Sequence, residues 1–325
     1  MEKLVSESSN QLISEACIVG WRNFGRKIVF YVPSFSAYKS NYYQVPSFSF
    51  PSISVTGRSC ALNCKHCGGR LLRTMIPVRT PNDLLSLCVE IKRKGAIGCL
   101  ISGGCLPDGS VPLSKFIDVI AKVKQELGLT VVVHSGLIDF ETASRLKDAG
   151  VDAVSVDIIG SDDTISSIYN LNVSSKRYEE TLEALSRSGV PFTPHVLVGL
   201  HLGSIKGEFE ALKMIAKHKP SALIIIVFFP IKGTLMENVR PPPPEEVVNI
   251  LSHARVIMPN VPIALGCARP KGAHRIRTDV LAVEAGVNAI AYPSPEAVEK
   301  ARDLGLEVKF SPTCCSQVFK EFQYC

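Results

Sequence analysis

Cys60, Cys64 and Cys67 carry the clearest chemistry in this sequence, set in the run SCALNCKHCGG with the spacing C-x3-C-x2-C. Thiolates are the usual protein ligands of iron–sulfur clusters, and three of them can hold three irons of a cubane. The fourth iron is then left to a ligand that is not protein. A structural zinc would need four ligands, normally from a second Cys or His pair at a compatible distance. His66 lies inside the triplet but is awkwardly placed for the same ion. The spacing therefore predicts a [4Fe-4S] cluster with one open position, ahead of structural zinc or unliganded thiols.

The chain has 11 cysteines, so eight remain to be explained. Cys88 shares a helix face with Leu84, Leu87 and Ile91 and reads as core. Cys99, in the middle of an expected strand, reads the same way. The other six are harder to dismiss. Cys105 and Cys267 end expected strands, Cys314, Cys315 and Cys325 lie in the tail, and Cys17 lies near the start. Four thiolates would complete a second, auxiliary [4Fe-4S] cluster. The preferred set is Cys17, Cys267, Cys314 and Cys315, with Cys105 in reserve and Cys325 last because chain ends fray.

The elements that must position these residues alternate from residue 52 onward. Short β-branched runs (ISVTG, AIGCLISGG, LTVVVHSG, VDAVSVDIIG, VPFTPHVLVG, SALIIIVFF, VPIALGC and VNAIAYP) are separated by helical periods, the first of them PNDLLSLCVEIKRKG, opened by Pro81 and closed by Gly95. Near-continuous apolar strands between amphipathic helices mean a parallel sheet covered by helices. Eight strands and eight helices predict an α/β fold of the (β/α)8 TIM-barrel type over residues 52–310. An open doubly wound sheet is the alternative, but no glycine fingerprint follows the first strand. Residues 1–51 are too apolar for a loose linker and are expected to pack on the barrel as an extension, as is the Cys-containing tail, 311–325. The prolines at 241–244 read as a stiff lead into a helix N-terminus.

In such a barrel, chemistry collects at the C-terminal ends of the strands. The polar residues there are Ser102, Gly103 and Gly104, then His134 and Ser135, then Ser155 and Asp157 on one face of their strand, then His195. A lone His on an apolar strand is more often a satisfied core residue than a ligand.

The cysteine triplet, followed by Gly-Gly at a strand end, resembles the radical SAM superfamily. That resemblance implies that the open iron is chelated by S-adenosylmethionine (SAM). One electron then releases a 5′-deoxyadenosyl radical, the cofactor supplying the chemistry and the protein the orientation. It implies contacts to SAM from Ser102-Gly103-Gly104, where Cys105 replaces the usual acidic residue. Further contacts are implied for His66, His134, Ser135, Asp157 and His195, and for the Val198-Gly199 step. The run SSKRYEETL resembles a biotin synthase motif, so that Lys176 or Arg177 would pair with the SAM carboxylate; a solvated charge at a helix start is the competing account.

Nearly the whole chain is similar to the biotin-synthase-like group, and within it to a subunit of the two-component, archaeal-type lipoyl synthases. The residues that carry this are FYVPSF-x-Y, FPSISVTG before CALNCKHCGG, SGGC-x-x-x-G-x-VPL, VGLHLG, GC-x-RP-x-G and the final Cys-Cys-Ser. The resemblance implies sulfur insertion into an octanoyl chain on a carrier-protein lysine, with the auxiliary cluster as sulfur donor. A homologous second subunit, an octanoylated carrier protein or peptide, and an electron donor such as ferredoxin are the implied partners. Biotin synthase itself fits less well: its auxiliary ligands include cysteines where this chain has His134 and Thr193. A single-cluster mutase or C–C bond enzyme in the same barrel, and a non-enzymatic metal-binding barrel, are the alternatives.

Composition bounds the rest. The chain has 325 residues, 46% of them hydrophobic and 20% charged, enough for a large core without wholesale disorder. Its net charge of +6 is mild and dispersed, which does not call for nucleic acid. The longest apolar stretch, at 222–229, is far below the ~20 residues of a membrane span. With no apolar leader at the start, a reducing, cytoplasmic location is expected, and thiols rather than disulfides.

Overall fold

In the computed structural model, residues 2–38 and 40–322 are described, with side chains from Asn10 onward. Among them are β1 (Lys27–Tyr31), β2 (Ser52–Ser54), β3 (Ile76–Pro77), β4 (Gly98–Ser102), β5 (Thr130–His134), β6 (Ala153–Asp157), β7 (Phe192–Val198), β8 (Leu223–Val227), β9 (Ile263–Leu265), β10 (Ala289–Ala291) and β11 (Glu307–Ser311). The helices are α1 (Glu2–Phe24), α2 (Pro81–Arg93), α3 (Ile117–Leu127), α4 (Phe140–Asp148), α5 (Asp162–Tyr169), α6 (Ser175–Ser188), α7 (Glu208–Ala216), α8 (Pro244–Ile257), α9 (Ala273–Glu284) and α10 (Pro295–Asp303).

All eight expected strands form, and every registered pair is parallel, so the α/β, TIM-like fold is as expected. The hydrogen-bonded order is linear, β11-β1-β10-β9-β8-β7-β6-β5-β4-β2-β3, a curled half-barrel with two sheet ends. Three strands were not foreseen. Of these, β1 comes from the segment read as an extension: KIVFY inserts between β10 and β11, pairing Val29 with Ala289 and Phe30 with Phe310. The described part of the extension thus contributes a strand to the sheet as well as packing against it. The prolines lead as expected into α8, which starts at Pro244 after Pro243.

Strand alternation sorts the core into two layers. Ile28 and Phe30 join the large apolar layer that also holds Leu84, Ile120 and Leu182 of the covering helices. Val29 and Tyr31 point the other way, with Val132, Ala153, Ile224, Ala264, Ala289 and Ala291. Several of these are alanines, and the space they leave is filled by the tail. Cys314, Cys315, Val318, Phe319 and Phe322 pack into that second layer, and the tail forms a short 3-10 helix, Cys315–Glu321. Ion pairs of Lys320 with Asp152 (2.6 Å) and of Lys309 with Glu321 (2.7 Å) tie it down. No described helix is long and apolar enough to cross a membrane.

Candidate active site

The strand ends and the loops after them surround a cavity of about 410 Å³, a size ordinary for cofactor and substrate sites. Its walls are mainly apolar, among them Leu71, Met75, Leu197, Ile226, Phe228 and Ile231. Seven thiols face it, in two sets: Cys60, Cys64, Cys67 and Cys105 interact with one another, as do Cys267, Cys314 and Cys315.

Of the first set, Cys60, Cys64 and Cys67 sit on the loop after β2, and Cys105 follows β4. The β2–β4 register puts Ser54 beside Ser102, so the cysteine loop starts next to the Ser102-Gly103-Gly104 turn. Thr56 Oγ1 accepts from Gly104 N (2.7 Å), and the Cys105 carbonyl accepts from Ala61 N (2.8 Å). A Cβ on Gly104 would collide with the Ser59 carbonyl and lie 2.7 Å from Cys60 Cα, so glycine is what permits this approach. From the other side Asn170 Nδ2 donates to the carbonyls of Leu62 and Asn63, both at 3.1 Å. Lys65 N donates to Ile168 O (2.8 Å), and Cys64 Sγ lies 3.6 Å from Tyr169 O. These bonds fix the loop between the turn after β4 and the end of α5.

Within this set the thiols are paired. Cys105 donates to Cys60, which lowers Cys60 to about 5 and raises Cys105. Cys64 donates to Cys67, lowering Cys67 and raising Cys64, an effect that burial and the neighbouring thiolates add to. Thiolate, not thiol, is the metal ligand, so Cys60 and Cys67 are poised for a soft metal or cluster, while Cys64 would release its proton on binding one. His66 is closer than the spacing suggests: ligand atoms of Cys64, His66 and Cys67 lie within 4.8 Å of one another. Among the described residues its Nδ1 has no hydrogen-bond partner, and its ring lies 5.2 Å from that of Tyr169.

Three polar side chains face the cavity from β5, β6 and β7. Strand register places Asp157 beside His195 and Ser155 beside His134. His134 Nε2 lies 3.4 Å from Asp157 Oδ1, and the two His rings are 5.4 Å apart. Burial opposes charge on all three. It is outweighed at Asp157, lowered to about 2 by His134 and His195, and at His134, raised by Asp157. It wins at His195, lowered to about 4 by burial and then by the His134 charge.

The second set is built by the tail. Ser155 Oγ lies 2.9 Å from Ser316 Oγ and 3.0 Å from Thr193 Oγ1, fixing the turn that carries Cys314 and Cys315 against β6 and β7. Cys267 follows β9. Beside it Arg269 is fully buried, with Nε and Nη2 on the two Asp279 oxygens (2.7 and 3.0 Å) and further bonds to the Gly266 and Tyr292 carbonyls. Cys314 is lowered to about 7 by its hydrogen bond with Cys315, and burial raises Cys267 to about 11.

The cavity thus gathers Cys60, Cys64, Cys67, His66, Ser102, Gly103, Gly104, His134, Asp157, His195, Cys267, Cys314 and Cys315 from the sequence-based set. Several others are elsewhere. Cys17 is a correction: it sits on α1, which packs over α8 and α9 outside the sheet, with its backbone against Gly286. Cys105 faces the first thiol set, not the second. Cys325 lies outside the described residues. Lys176 is exposed and Arg177 pairs with Glu180 (3.4 Å), while the next residue, Tyr178, is the one that lines the cavity. Ser135 is buried behind it, its Oγ donating to Gly136 O (2.9 Å). Val198 is buried, and Gly199 N donates to Glu208 Oε1 (2.8 Å); Leu197 lines the cavity instead. Tyr169, Tyr178, Phe228 and Ile231 were missed, since nothing separates an inward-facing apolar or aromatic residue from core until the cavity is seen.

Comparison with known proteins agrees with this geometry. The sequence model of the radical SAM superfamily matches residues 54–213, the segment from β2 to α7. The chain is similar to a biotin synthase of Leptospira interrogans, 27% identical over 220 residues, or 65% of this chain and 60% of that protein. It thus spans less than two thirds of that relative. A biotin synthase of Prochlorococcus marinus is 28% identical over 290 residues, 83% of this chain and 81% of that one. Among solved structures, methylornithine synthase superposes with a TM-score of 0.62 over 97% of this chain and 92% of its own, at 17% identity. The FeFe-hydrogenase maturase of Carboxydothermus hydrogenoformans does so with 0.64 over 95% and 74%, also at 17% identity. At that identity these structures show a shared fold.

Proposed function

On the premise that this chain belongs to the radical SAM superfamily, we propose that it is a sulfur-inserting enzyme of the lipoyl synthase kind. When bound, the cluster and SAM supply a 5′-deoxyadenosyl radical that takes hydrogen from unactivated carbon. Cys60, Cys64 and Cys67 would hold that cluster. The donor set fits, because hydrogen bonds fix the loop and in each thiol pair one member, Cys60 or Cys67, is shifted towards the thiolate while its partner, Cys105 or Cys64, holds the proton. Gly103 and Gly104 leave the backbone open to a ligand. Asp157, His134 and His195 offer the buried polar atoms that orient a bound molecule inside apolar walls.

The observation that carries the sulfur-insertion reading is a second thiol set, Cys267, Cys314 and Cys315, on the same cavity as the first. Three thiols would hold an auxiliary [4Fe-4S] cluster as sulfur donor, facing the place where a substrate radical would form. The aliphatic lining suits an alkyl chain and excludes water, as radical chemistry requires. An octanoyl chain on a carrier-protein lysine is the proposed substrate. A homologous second subunit would share the work, and a ferredoxin-type protein would supply electrons.

Anaerobic reconstitution with iron and sulfide counting tests the auxiliary site: about eight irons per chain are expected, and about four would overturn the sulfur-donor role. Mass spectrometry of an octanoyl-lysine peptide incubated with SAM, reductant and the partner subunit tests the substrate. Sulfur addition is expected; SAM consumption with an unchanged peptide would overturn it. A biotin-type insertion is the second reading, favoured by the names of the relatives. It is disfavoured at the auxiliary site, where β5 and β7 offer His134 and Thr193.

A further inference from the structure

We propose that Cys105 is a fourth cysteine ligand of the cluster site formed by Cys60, Cys64 and Cys67, closing the open iron until SAM displaces it. The proposal rests on the reading of the triplet as a cluster site and adds to it a ligand and a resting state. Three observations support it. Cys105 lines the cavity beside the triplet, and its thiol touches that of Cys60 in the way that Cys64 touches Cys67, a pair in which both members are ligands. Its backbone is fixed to the cysteine loop, through the Ala61 N to Cys105 O bond and through Gly104, which the Ser59-Cys60 backbone leaves no room to replace. Among the described residues, the other thiols on the cavity, Cys267, Cys314 and Cys315, interact among themselves and leave Cys105 to the triplet.

Coordination arithmetic supplies the rest. A cubane has four irons and the triplet fills three, so a fourth thiol in the same set completes the cluster from protein alone. Exchange with SAM involves no electron transfer. The iron–sulfur bond to Cys105 breaks and the released thiolate takes up a proton. Bonds from iron to the SAM amino nitrogen and carboxylate oxygen form, and the ammonium group gives up a proton. Gly103 and Gly104, next to Cys105, would let the incoming molecule approach along the backbone as the side chain turns away. A capped iron is also shielded from oxidants, since the labile iron of a three-cysteine cluster is the one without a thiolate.

The test removes the second thiol set (Cys267→Ala, Cys314→Ala and Cys315→Ala together) so that one cluster loads, and compares that protein with and without Cys105→Ala. Each is loaded anaerobically, treated with ferricyanide in the absence of SAM, and read by electron paramagnetic resonance for the [3Fe-4S] product. If about nine-tenths of the clusters are capped, Cys105→Ala raises the yield about tenfold. Equal yields overturn the proposal. Should the background variant not fold, Cys105→Ala alone in the otherwise unchanged protein is measured for SAM affinity without reductant. Binding about tenfold tighter is expected, because the competing ligand is gone. Unchanged or weaker binding overturns the proposal. Failure of the underlying reading looks different: no four-iron cluster forms with or without Cys105, or one persists when Cys60, Cys64 and Cys67 are all replaced by alanine.

Discussion

The two thiol sets on the cavity are made in opposite ways. Cys60, Cys64 and Cys67 come from one loop, and local bonds to Gly104, Cys105 and Asn170 hold it. Cys267, Cys314 and Cys315 meet only because the tail folds back into space left by Ala153, Ala264, Ala289 and Ala291. The first set is a property of spacing and the second of packing. The first can therefore lose its partly exposed members, Cys60 or Cys67, with little effect on the fold, whereas the second is tied to the core.

The sharpest way to break this comparison is a crossed pair of variants. Cys64→Ala should abolish SAM cleavage altogether, with no methionine or 5′-deoxyadenosine formed under dithionite, while the second set keeps its iron. Cys315→Ala should do the reverse: SAM cleavage persists, iron falls by about half, and sulfur insertion stops. Cleavage retained in the first variant, or lost in the second, would show that the two sets are not separable sites.

Stability should divide along the same line. Cys267 is followed by Arg269, whose charge is buried against Asp279 with all three guanidinium nitrogens hydrogen-bonded. Asp279→Ala leaves that charge unpaired, also removes the acceptor of Ser294 N (2.8 Å), and should cost about 3–5 kcal/mol. Denaturant unfolding of the cluster-free protein measures it. Cys60→Ala, on the half-exposed loop, should change stability by well under that amount. Equal losses in the two variants would contradict the assignment of the second set to the core.

What was legible in the sequence follows the same division. The triplet, the eight strands and the SGG turn all announce themselves within a few residues, through spacing, β-branched runs and glycine. Strand β1 does not, because KIVFY pairs with residues more than 250 positions away and looks like any apolar run. Cys17 illustrates the opposite error. A cysteine in an apolar helix is chemically identical on either side of a sheet, and only the packing of α1 on α8 places it outside. Lys176, Arg177 and Tyr178 are neighbours on the first turn of α6, so motif similarity points to the right turn. The helical rotation between successive residues then decides that the tyrosine, not the cations, faces the cavity.

The last and smallest expected effect concerns the polar residues that face both thiol sets. His134 and His195 lie on adjacent sides of Asp157, yet their environments shift them in opposite directions. Burial disfavours the His134 cation, but the charge of Asp157, 3.4 Å away, outweighs it. Its folded pKa is raised, so its contribution is fully present below the unfolded value of about 6.5 and is lost as pH rises through the folded value. At His195 burial dominates and the folded pKa falls to about 4. The unfolded chain then takes up a proton first, so stability is lost as pH falls from about 6.5 towards 4. Asp157, lowered to about 2, adds a loss only in stronger acid. Denaturation of the cluster-free protein between about pH 4.5 and 8.5 should therefore separate the two histidines. His195→Gln should flatten the acid limb of the stability profile, and His134→Gln the alkaline limb. The same limb flattened in both variants would mean that the two imidazoles titrate as one coupled unit, and that the strands, rather than Asp157, set their charge.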